Sequence, residues 1–141
     1  MEARIHTSTK TERYLNALAR RSFLSLWSYP SPYRDQGVND RGEGAEVCDL
    51  LVVFENHVIV FSDKDCEFPD LVDTELAWRR WYKRAMLKSA QQVWGAERWI
   101  RSNPKRVFLD RACKRALPID PPDPKELVVH RIVVGVCPKA S

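Results

Sequence analysis

Two consecutive apolar runs carry acidic and basic residues at their ends. Asp49 lies near the start of the first run, Val47 to Phe54, and Asp63 and Lys64 close the second run, which begins at His57. A carboxylate beside a buried strand must be paired, protonated or bound to a cation, because an isolated buried charge is costly. Carboxylates bind hard cations, and a bound cation polarises a phosphate and lowers the pKa of its water. With a lysine nearby to stabilise developing negative charge, these residues could hydrolyse a phosphodiester.

Two further acids are candidate ligands of the same Mg²⁺ or Mn²⁺ ion. Glu12 lies in the first turn of a predicted helix, and Glu46 precedes Asp49 by three residues. The candidate metal ligands are therefore Asp49, Asp63, Glu12 and Glu46. These residues also have roles that need no cation. Glu12 would complement the dipole of its helix, Asp49 would be a satisfied strand-end aspartate, and Lys64 would be a solvated strand terminus.

The elements that must position these side chains begin with a β-hairpin. Glu55 and Asn56 separate the two apolar runs and are short and polar enough for a tight turn. Both runs are apolar at consecutive positions rather than at alternating ones. This pattern predicts that both faces of the sheet are covered by other elements.

A long helix is predicted behind the hairpin, from Thr74 to about Ser102, where an Asn-Pro pair ends it. At about 100° per residue, Gln92 falls at the edge of the buried stripe of this helix, whereas Gln91 points away from it. Gln92 is therefore the glutamine that looks inward. The stripe itself is predicted from residues that recur at three- and four-residue intervals, namely Trp78, Tyr82, Ala85, Ser89, Val93, Ala96 and Ile100.

Basic residues occupy much of the remaining surface of that helix. The candidates for contacts with nucleic-acid phosphates are Arg79, Arg80, Lys83 and Arg84. Such contacts would make binding salt-dependent. The alternative is a plain solvent-facing surface. The tryptophans of the helix are expected to be core or interface anchors rather than base-stacking platforms.

Shorter segments complete an α/β fold with a mixed central sheet flanked by helices. An N-terminal helix is predicted to end near Arg21, and Phe23 to Tyr29 is either a first strand or a continuation of that helix. Arg106 to Asp110 is a predicted short strand, followed by a basic turn or helix from Arg111 to Arg115. Leu127 to Val136 is β-branched and is predicted to be the final strand.

Length and composition indicate one domain over residues 1–141, with residues 1–8 as a loose leader. The 141 residues are 44% apolar and 30% charged, which is ordinary for a soluble globular protein. No apolar run approaches the roughly 20 residues of a membrane helix, and the N-terminus lacks a signal-peptide core. We therefore expect a cytoplasmic protein without a membrane partner. The net charge of +4 permits an anionic partner.

The arrangement of these residues resembles the PD-(D/E)xK nuclease superfamily, whose restriction-endonuclease-like fold has an αβββαβ core. The shared pattern is an acid on a helix, an aspartate on a strand and then acid-x-lysine on the next strand. The resemblance extends from about Glu12 to Val136, with Phe23 to Tyr29 as the first strand. Three segments are similar to an uncharacterised bacterial branch: Cys-Asp-Leu-Leu-Val-Val-Phe, Val-Ile-Val-Phe-Ser-Asp-Lys and Ser-Ala-Gln-Gln-Val-Trp-Gly-Ala-Glu-Arg-Trp.

The resemblance implies a role for each candidate catalytic residue. Asp49 would be the metal aspartate, Lys64 the catalytic lysine and Glu12 the helix acid. Gln92 would match a glutamine that some branches carry on the helix after the lysine strand. The candidate catalytic residues are therefore Asp49, Asp63, Lys64 and Gln92.

The chain departs from the family pattern at two positions, one of which is Ala96, where some branches carry a tyrosine four residues after the glutamine. The other departure lies in the acid-x-lysine motif. The family places its acid two residues before the lysine, so that both side chains leave the same face of the strand. Ser62 occupies that position here, and Asp63 is adjacent to Lys64. A bulge at the strand end would turn Asp63 inward. Otherwise Asp65 or Glu46 must replace it, or the site is defective.

Three hypotheses follow for the function of the chain. The first is a metal-dependent nuclease acting on DNA or RNA, with DNA favoured. The second is a catalytically impaired module of the same fold that binds nucleic acid or a protein. The third is a structural domain that forms a homodimer through its tryptophan-rich helix.

Overall fold

The computed structural model of the chain describes residues 10–21, 27–120 and 122–136. No helix in these ranges is long and apolar enough to cross a membrane. The predicted leader at residues 1–8, and residues 22–26 of the predicted first-strand region, lie outside the described residues. In chain order the elements are α1 Lys10–Arg21, β1 Ser28–Pro30, β2 Tyr33–Arg34, β3 Ala45–Glu46, β4 Leu50–Phe54, β5 His57–Asp65, α2 Thr74–Tyr82, a π-helical turn Lys83–Leu87, α3 Lys88–Ser102 and β6 Val128–Val136.

A four-stranded mixed sheet in the order β1-β4-β5-β6 forms the centre of an α/β fold, as predicted. β1 and β5 both pair antiparallel with β4, and β6 pairs parallel with β5. β2 and β3 form a separate two-stranded ribbon, which was not predicted. The predicted hairpin is confirmed: β4 and β5 are joined by Glu55 and Asn56, with Glu55 in the left-handed region at φ 52°. A parallel pair needs a long crossover, and the helices from Thr74 to Ser102 lie within it.

The hairpin is packed on both faces, as its continuous apolar runs predicted. On one face Val58 and Val60 of β5 join a cluster with Val93 and Ala96 of α3. On the other face Leu50 and Val52 of β4 pack with Trp27, Ile59 and Phe61. Successive residues of β5 therefore alternate between the α3 face and the opposite face of the sheet.

The long helical segment has identifiable ends. Asp73 caps it, because its carboxylate accepts the backbone N–H groups of Glu75 and Leu76 at 3.0 and 3.2 Å. At the other end the N–H of Asn103 donates to the carbonyl of Trp99 at 2.7 Å. The proline that follows Asn103 cannot continue the helix. The predicted extent from Thr74 to Ser102 is confirmed.

The buried stripe of this segment follows the prediction only in its second half. Ala85, Ser89, Val93, Ala96 and Ile100 are buried, whereas Trp78 and Tyr82 are exposed and Ala77 and Trp81 face the core instead. The predicted stripe was wrong in α2 because the chain contains a π-helical turn. A π turn holds one residue more than an α turn, so everything before it is rotated by about 100°.

The predicted strand from Arg106 to Asp110 is also wrong. Only Phe108 forms bridges there, to Tyr33 and to Ala116. The backbone after it bends, and the N–H groups of Lys114 and Arg115 donate to the carboxylate of Asp110 at 3.1 and 2.8 Å. The basic segment after Asp110 is therefore a turn rather than a helix. Val128–Val136 confirms the final strand.

Candidate metal centre

The register of the hairpin brings Asp49 beside the end of β5. Leu50 is paired with Phe61, so the residue before β4 lies next to the residues that follow Phe61. The N–H of Asp49 donates to the carbonyl of Phe61 at 3.0 Å. The N–H of Asp63 in turn donates to Oδ2 of Asp49 at 2.7 Å. This bond orients the Asp49 carboxylate and leaves its other oxygen for a second partner.

Helix α1 adds a third carboxylate to this pair. α1 packs on β5 with Leu15 buried, and Glu12 lies one turn earlier on the same helix. One oxygen from each of Glu12, Asp49 and Asp63 lies within 4.8 Å of the others. Three predicted ligands that are up to 51 residues apart in the chain are thus brought together by three different elements.

Glu46 is the fourth acid of the cluster. It ends β3 and approaches Asp49, Glu12 and Asp63 closely enough for their charges to act on it. Burial raises the pKa of Glu46 to about 8, with further contributions from a hydrogen bond and the negative charge of Asp49. Burial likewise raises the pKa of Asp63 to about 7, again reinforced by Asp49 and then by Glu12. Like charges in a shielded site favour retained protons unless a cation replaces them.

The donor set of this cluster fits a hard divalent cation. Oε1 of Glu46 and Oδ1 of Asp63 are buried without a hydrogen-bond partner among the described residues. Buried carboxylate oxygens normally have partners, so each of these oxygens could accept either a shared proton or a cation. All four groups offer oxygen ligands, which Mg²⁺ and Mn²⁺ prefer.

The other predicted catalytic residues lie on the α3 face of β5, opposite Asp63. Ser62 is fully buried, and its hydroxyl donates to Oε1 of Gln92 on α3. Lys64 alternates with Asp63 and so shares the face of Ser62. Gly135, its partner in β6, agrees with this direction, because a Cβ placed there would point at Met86 and Trp81. The structure therefore separates Lys64 and Gln92 from the carboxylate cluster.

No bulge is needed to bring Asp63 into the cluster. β5 pairs with β6 residue by residue from His57 to Asp65, without an extra residue on either strand. The bulge that would turn Asp63 toward the face of Lys64 is therefore absent from the paired residues of β5 and β6. Asp65 is exposed at the end of the strand and does not replace Asp63.

The predicted phosphate-binding residues lie on the exposed surface of α2 and the π-helical turn. Arg79 forms an ion pair with Glu75. Arg80, Lys83 and Arg84 are exposed and form no ion pair within the ranges that the structure describes. Three of the four predicted cations are thus available to an anionic partner.

The structure also joins residues that gave no signal in the sequence. Nδ1 of His57 lies 3.1 Å from Nε2 of His130, and the two exposed rings stack at the amino ends of β5 and β6. The two histidines are 73 positions apart, and only the parallel pairing of β5 with β6 makes them neighbours. The exposure of Trp78 and Tyr82 was likewise missed, because a π turn cannot be seen in helical periodicity.

Comparison of the chain with protein-family models, with curated proteins and with solved structures gives no match. The geometry of the carboxylate cluster and its surroundings is therefore the basis for the functional conclusion below.

Proposed function

We propose that this chain is a metal-dependent nuclease domain with a restriction-endonuclease-like core, hydrolysing phosphodiester bonds in DNA or RNA. One observation carries the proposal: Glu12, Asp49 and Asp63 offer carboxylate oxygens within 4.8 Å of one another. The order of elements supports it, since a helix, three antiparallel strands, a helical crossover and a parallel strand correspond to an αβββαβ core. DNA is favoured over RNA as the substrate.

Glu12, Asp49 and Asp63 would hold Mg²⁺ or Mn²⁺, and Glu46 would support them. When bound, the cation would polarise the scissile phosphate and lower the pKa of a water molecule. The N–H of Asp63 holds Asp49 in place, which limits the reorganisation of that carboxylate. Because Glu46 and Asp63 have raised pKa values, the cluster retains protons near neutral pH and releases them when a cation binds.

Lys64 would act from the rim of this site. It is exposed at the end of β5, one residue after Asp63. A lysine side chain is long and flexible, and its ammonium group would contact a phosphate of a substrate that crosses the strand end. Gln92 would position the strand through its hydrogen bond with Ser62 rather than contact the cation.

The test is thermal melting and cleavage of single- and double-stranded DNA and RNA, with Mg²⁺, Mn²⁺ or EDTA. For the wild type we expect a melting temperature raised by the cation and cation-dependent cleavage. Asp49→Ala should abolish the melting shift and lower cleavage by about 100-fold or more. Asp65→Ala is the matched control, because it removes an exposed acid from the same strand end. Cleavage retained in Asp49→Ala would refute the assignment.

A second candidate function is a nuclease-fold module that binds nucleic acid without cutting it. The observation that favours it is the buried hydrogen bond of Ser62 with Gln92, because Ser62 stands where the family pattern has an acid two residues before the lysine. This reading predicts nucleic-acid binding that is indifferent to EDTA and an absence of cleavage with any divalent cation. A Lys64→Ala variant distinguishes the two functions. If the wild type cleaves in a cation-dependent way and Lys64→Ala does not, the chain is a nuclease and not only a binding module.

A further inference from the structure

Helix α2 exposes two aromatic side chains on one face. The side chains of Trp78 and Tyr82 are 54% and 44% exposed, and their spacing of four residues makes them neighbours on the helix. Regular helical periodicity would have buried both. The π-helical turn at Lys83–Leu87 rotates α2 so that Trp81, rather than Trp78 or Tyr82, is buried in the core. π turns of this kind occur frequently at functional sites.

The indole of Trp78 is held in a fixed orientation. It stacks on Trp81, with ring centroids 5.3 Å apart and an angle of 30° between the planes. Trp81 is itself buried, and its Nε1 donates to the carbonyl of Cys66 at 2.9 Å. One side of Trp78 is therefore supported by a fixed ring, while much of its surface faces solvent. A supported, exposed indole offers stacking area at little cost in conformational entropy.

Exposed cations lie on the same helical segment as this aromatic pair. Arg80, Lys83 and Arg84 are exposed, and no ion pair compensates them within the described part of the chain. Aromatic rings interleaved with uncompensated cations are the combination that proteins use to bind single-stranded nucleic acid. A protein partner of ordinary composition would instead favour a patch depleted in charge.

Trp81, on which Trp78 stacks, lies next to the end of β5. A Cβ placed on Gly135 would lie 3.4 Å from the ring of Trp81, and Gly135 is paired with Lys64 in the sheet. Trp81 also contacts Cys66, the residue directly after β5. Trp81, which supports Trp78, therefore packs on the side of the sheet that the Cβ of Lys64 faces.

We propose that Trp78 and Tyr82 are a base-stacking platform for an unpaired segment of the substrate, with Arg80, Lys83 and Arg84 contacting its phosphates. The inference rests on the proposed nuclease function, because it names the form of substrate that the site accepts. Bases in a duplex are already stacked on one another, so only unpaired bases can offer their faces to an indole. The preferred substrate is thus single-stranded, or has a single-stranded flank.

The test is fluorescence anisotropy with a short labelled oligodeoxythymidine and with its duplex, both in EDTA so that no cleavage occurs. Trp78→Ala should weaken binding of the single strand by about tenfold, with a smaller effect for Tyr82→Ala. Trp78→Phe should restore most of the affinity, since it keeps an aromatic face. Trp94→Ala is the control: Trp94 is 59% exposed but lies under the guanidinium of Arg131, away from α2.

Melting curves of each variant establish that the fold is intact. The inference is overturned if Trp78→Ala binds the single strand like the wild type. It is equally overturned if the duplex binds the wild type as tightly as the single strand does and Trp78→Ala weakens both by the same factor. It is also overturned if sedimentation shows a dimer that Trp78→Ala dissociates, because the patch is then a contact between copies. Since the assay contains no divalent cation, an inactive protein that binds through Trp78 would refute only the nuclease proposal. Cation-dependent melting without strand binding would refute only the platform.

Discussion

At the level of single residues, the carboxylate cluster is controlled by burial. Asp49 accepts a hydrogen bond from the backbone N–H of Asp63, which orients its carboxylate. Asp63 and Glu46 each have a buried oxygen that accepts no hydrogen bond from the residues that the structure describes, and their pKa values are raised to about 7 and about 8. Asp63 and Glu46 therefore retain protons near neutral pH. Binding of the proposed cation would release these protons, so proton release and cation binding would be coupled at this site.

This coupling predicts how stability depends on pH. The pKa values of Asp63 and Glu46 rise on folding from ordinary values of 3.8 and 4.5. The contribution of these two groups to the free energy of unfolding is therefore fully present below about pH 4. It is lost as the pH rises through about 7 and 8. In EDTA we expect the melting temperature to fall by a few degrees between pH 5.5 and pH 8.5.

Added Mg²⁺ should reverse that fall, and its effect should be larger at pH 8.5 than at pH 5.5 because protons compete with the cation. Asp63→Asn should flatten the pH dependence of the melting temperature in EDTA, since it removes one of the two carboxyl groups that have a raised pKa. A melting temperature that rises with pH in EDTA would contradict the assignment of retained protons to this cluster.

At the level of elements, backbone geometry decides which side chains meet. The tight hairpin places Asp49 at the end of β5, and strand alternation sends Asp63 and Lys64 to opposite faces. The π-helical turn rotates α2 and exposes Trp78. The connection between β2 and β3 contains a further constraint, because Gly44 lies against neighbouring backbone. A Cβ added to Gly44 would lie 2.2 Å from the carbonyl oxygen of Arg34 and 2.5 Å from Sγ of Cys113.

Gly44→Ala should therefore destabilise the fold by roughly 1–3 kcal/mol, because a carbonyl oxygen of the backbone cannot move aside cheaply. Gly95→Ala is the matched control. Gly95 lies within α3, where a Cβ would meet nothing within 4 Å. The control should stabilise the protein by about 0.5–1 kcal/mol through helix propensity. Urea denaturation measures both, and an equal effect of the two substitutions would contradict the packing at Gly44.

At the level of the whole molecule, charge is unevenly distributed. The chain has 23 basic and 19 acidic residues, yet four of the acids converge beside β5. Helix α2, which carries exposed cations, contacts the segment after β5 through the hydrogen bond between Trp81 and Cys66. Under the proposed function these cations would attract a nucleic acid that the carboxylate cluster alone would repel.

The salt dependence of binding tests this distribution. The slope of log K against log salt concentration should decrease in magnitude by about 0.7 for each phosphate contact that is removed from a single strand. Arg80→Ala and Lys83→Ala should each show this change in EDTA. Lys125→Ala should not, because Lys125 is exposed in the segment before β6. Equal slopes for all three variants would indicate that α2 does not contact the phosphates.

The sequence by itself determined the mixed α/β fold, the hairpin from β4 to β5, the final strand and the extent of the long helix. These features depend on local signals: continuous apolar runs, a two-residue turn, an Asn-Pro stop and residues spaced by three and four. The sequence also identified Glu46, Asp49 and Asp63 as candidate ligands, because acids beside apolar strands need a partner, and the family resemblance implied Glu12 as the helix acid.

Only the tertiary structure decided how these residues combine. It brought Asp63 together with Glu12 and Asp49, because the packing of α1 on β5 and the register of the hairpin join residues that are distant in the chain. It also inserted one π turn, which changed the buried face of α2 without any change in residue spacing. Hydrogen-bond pattern within a helix and packing between distant elements are not encoded in local periodicity, and for that reason these features had to be observed.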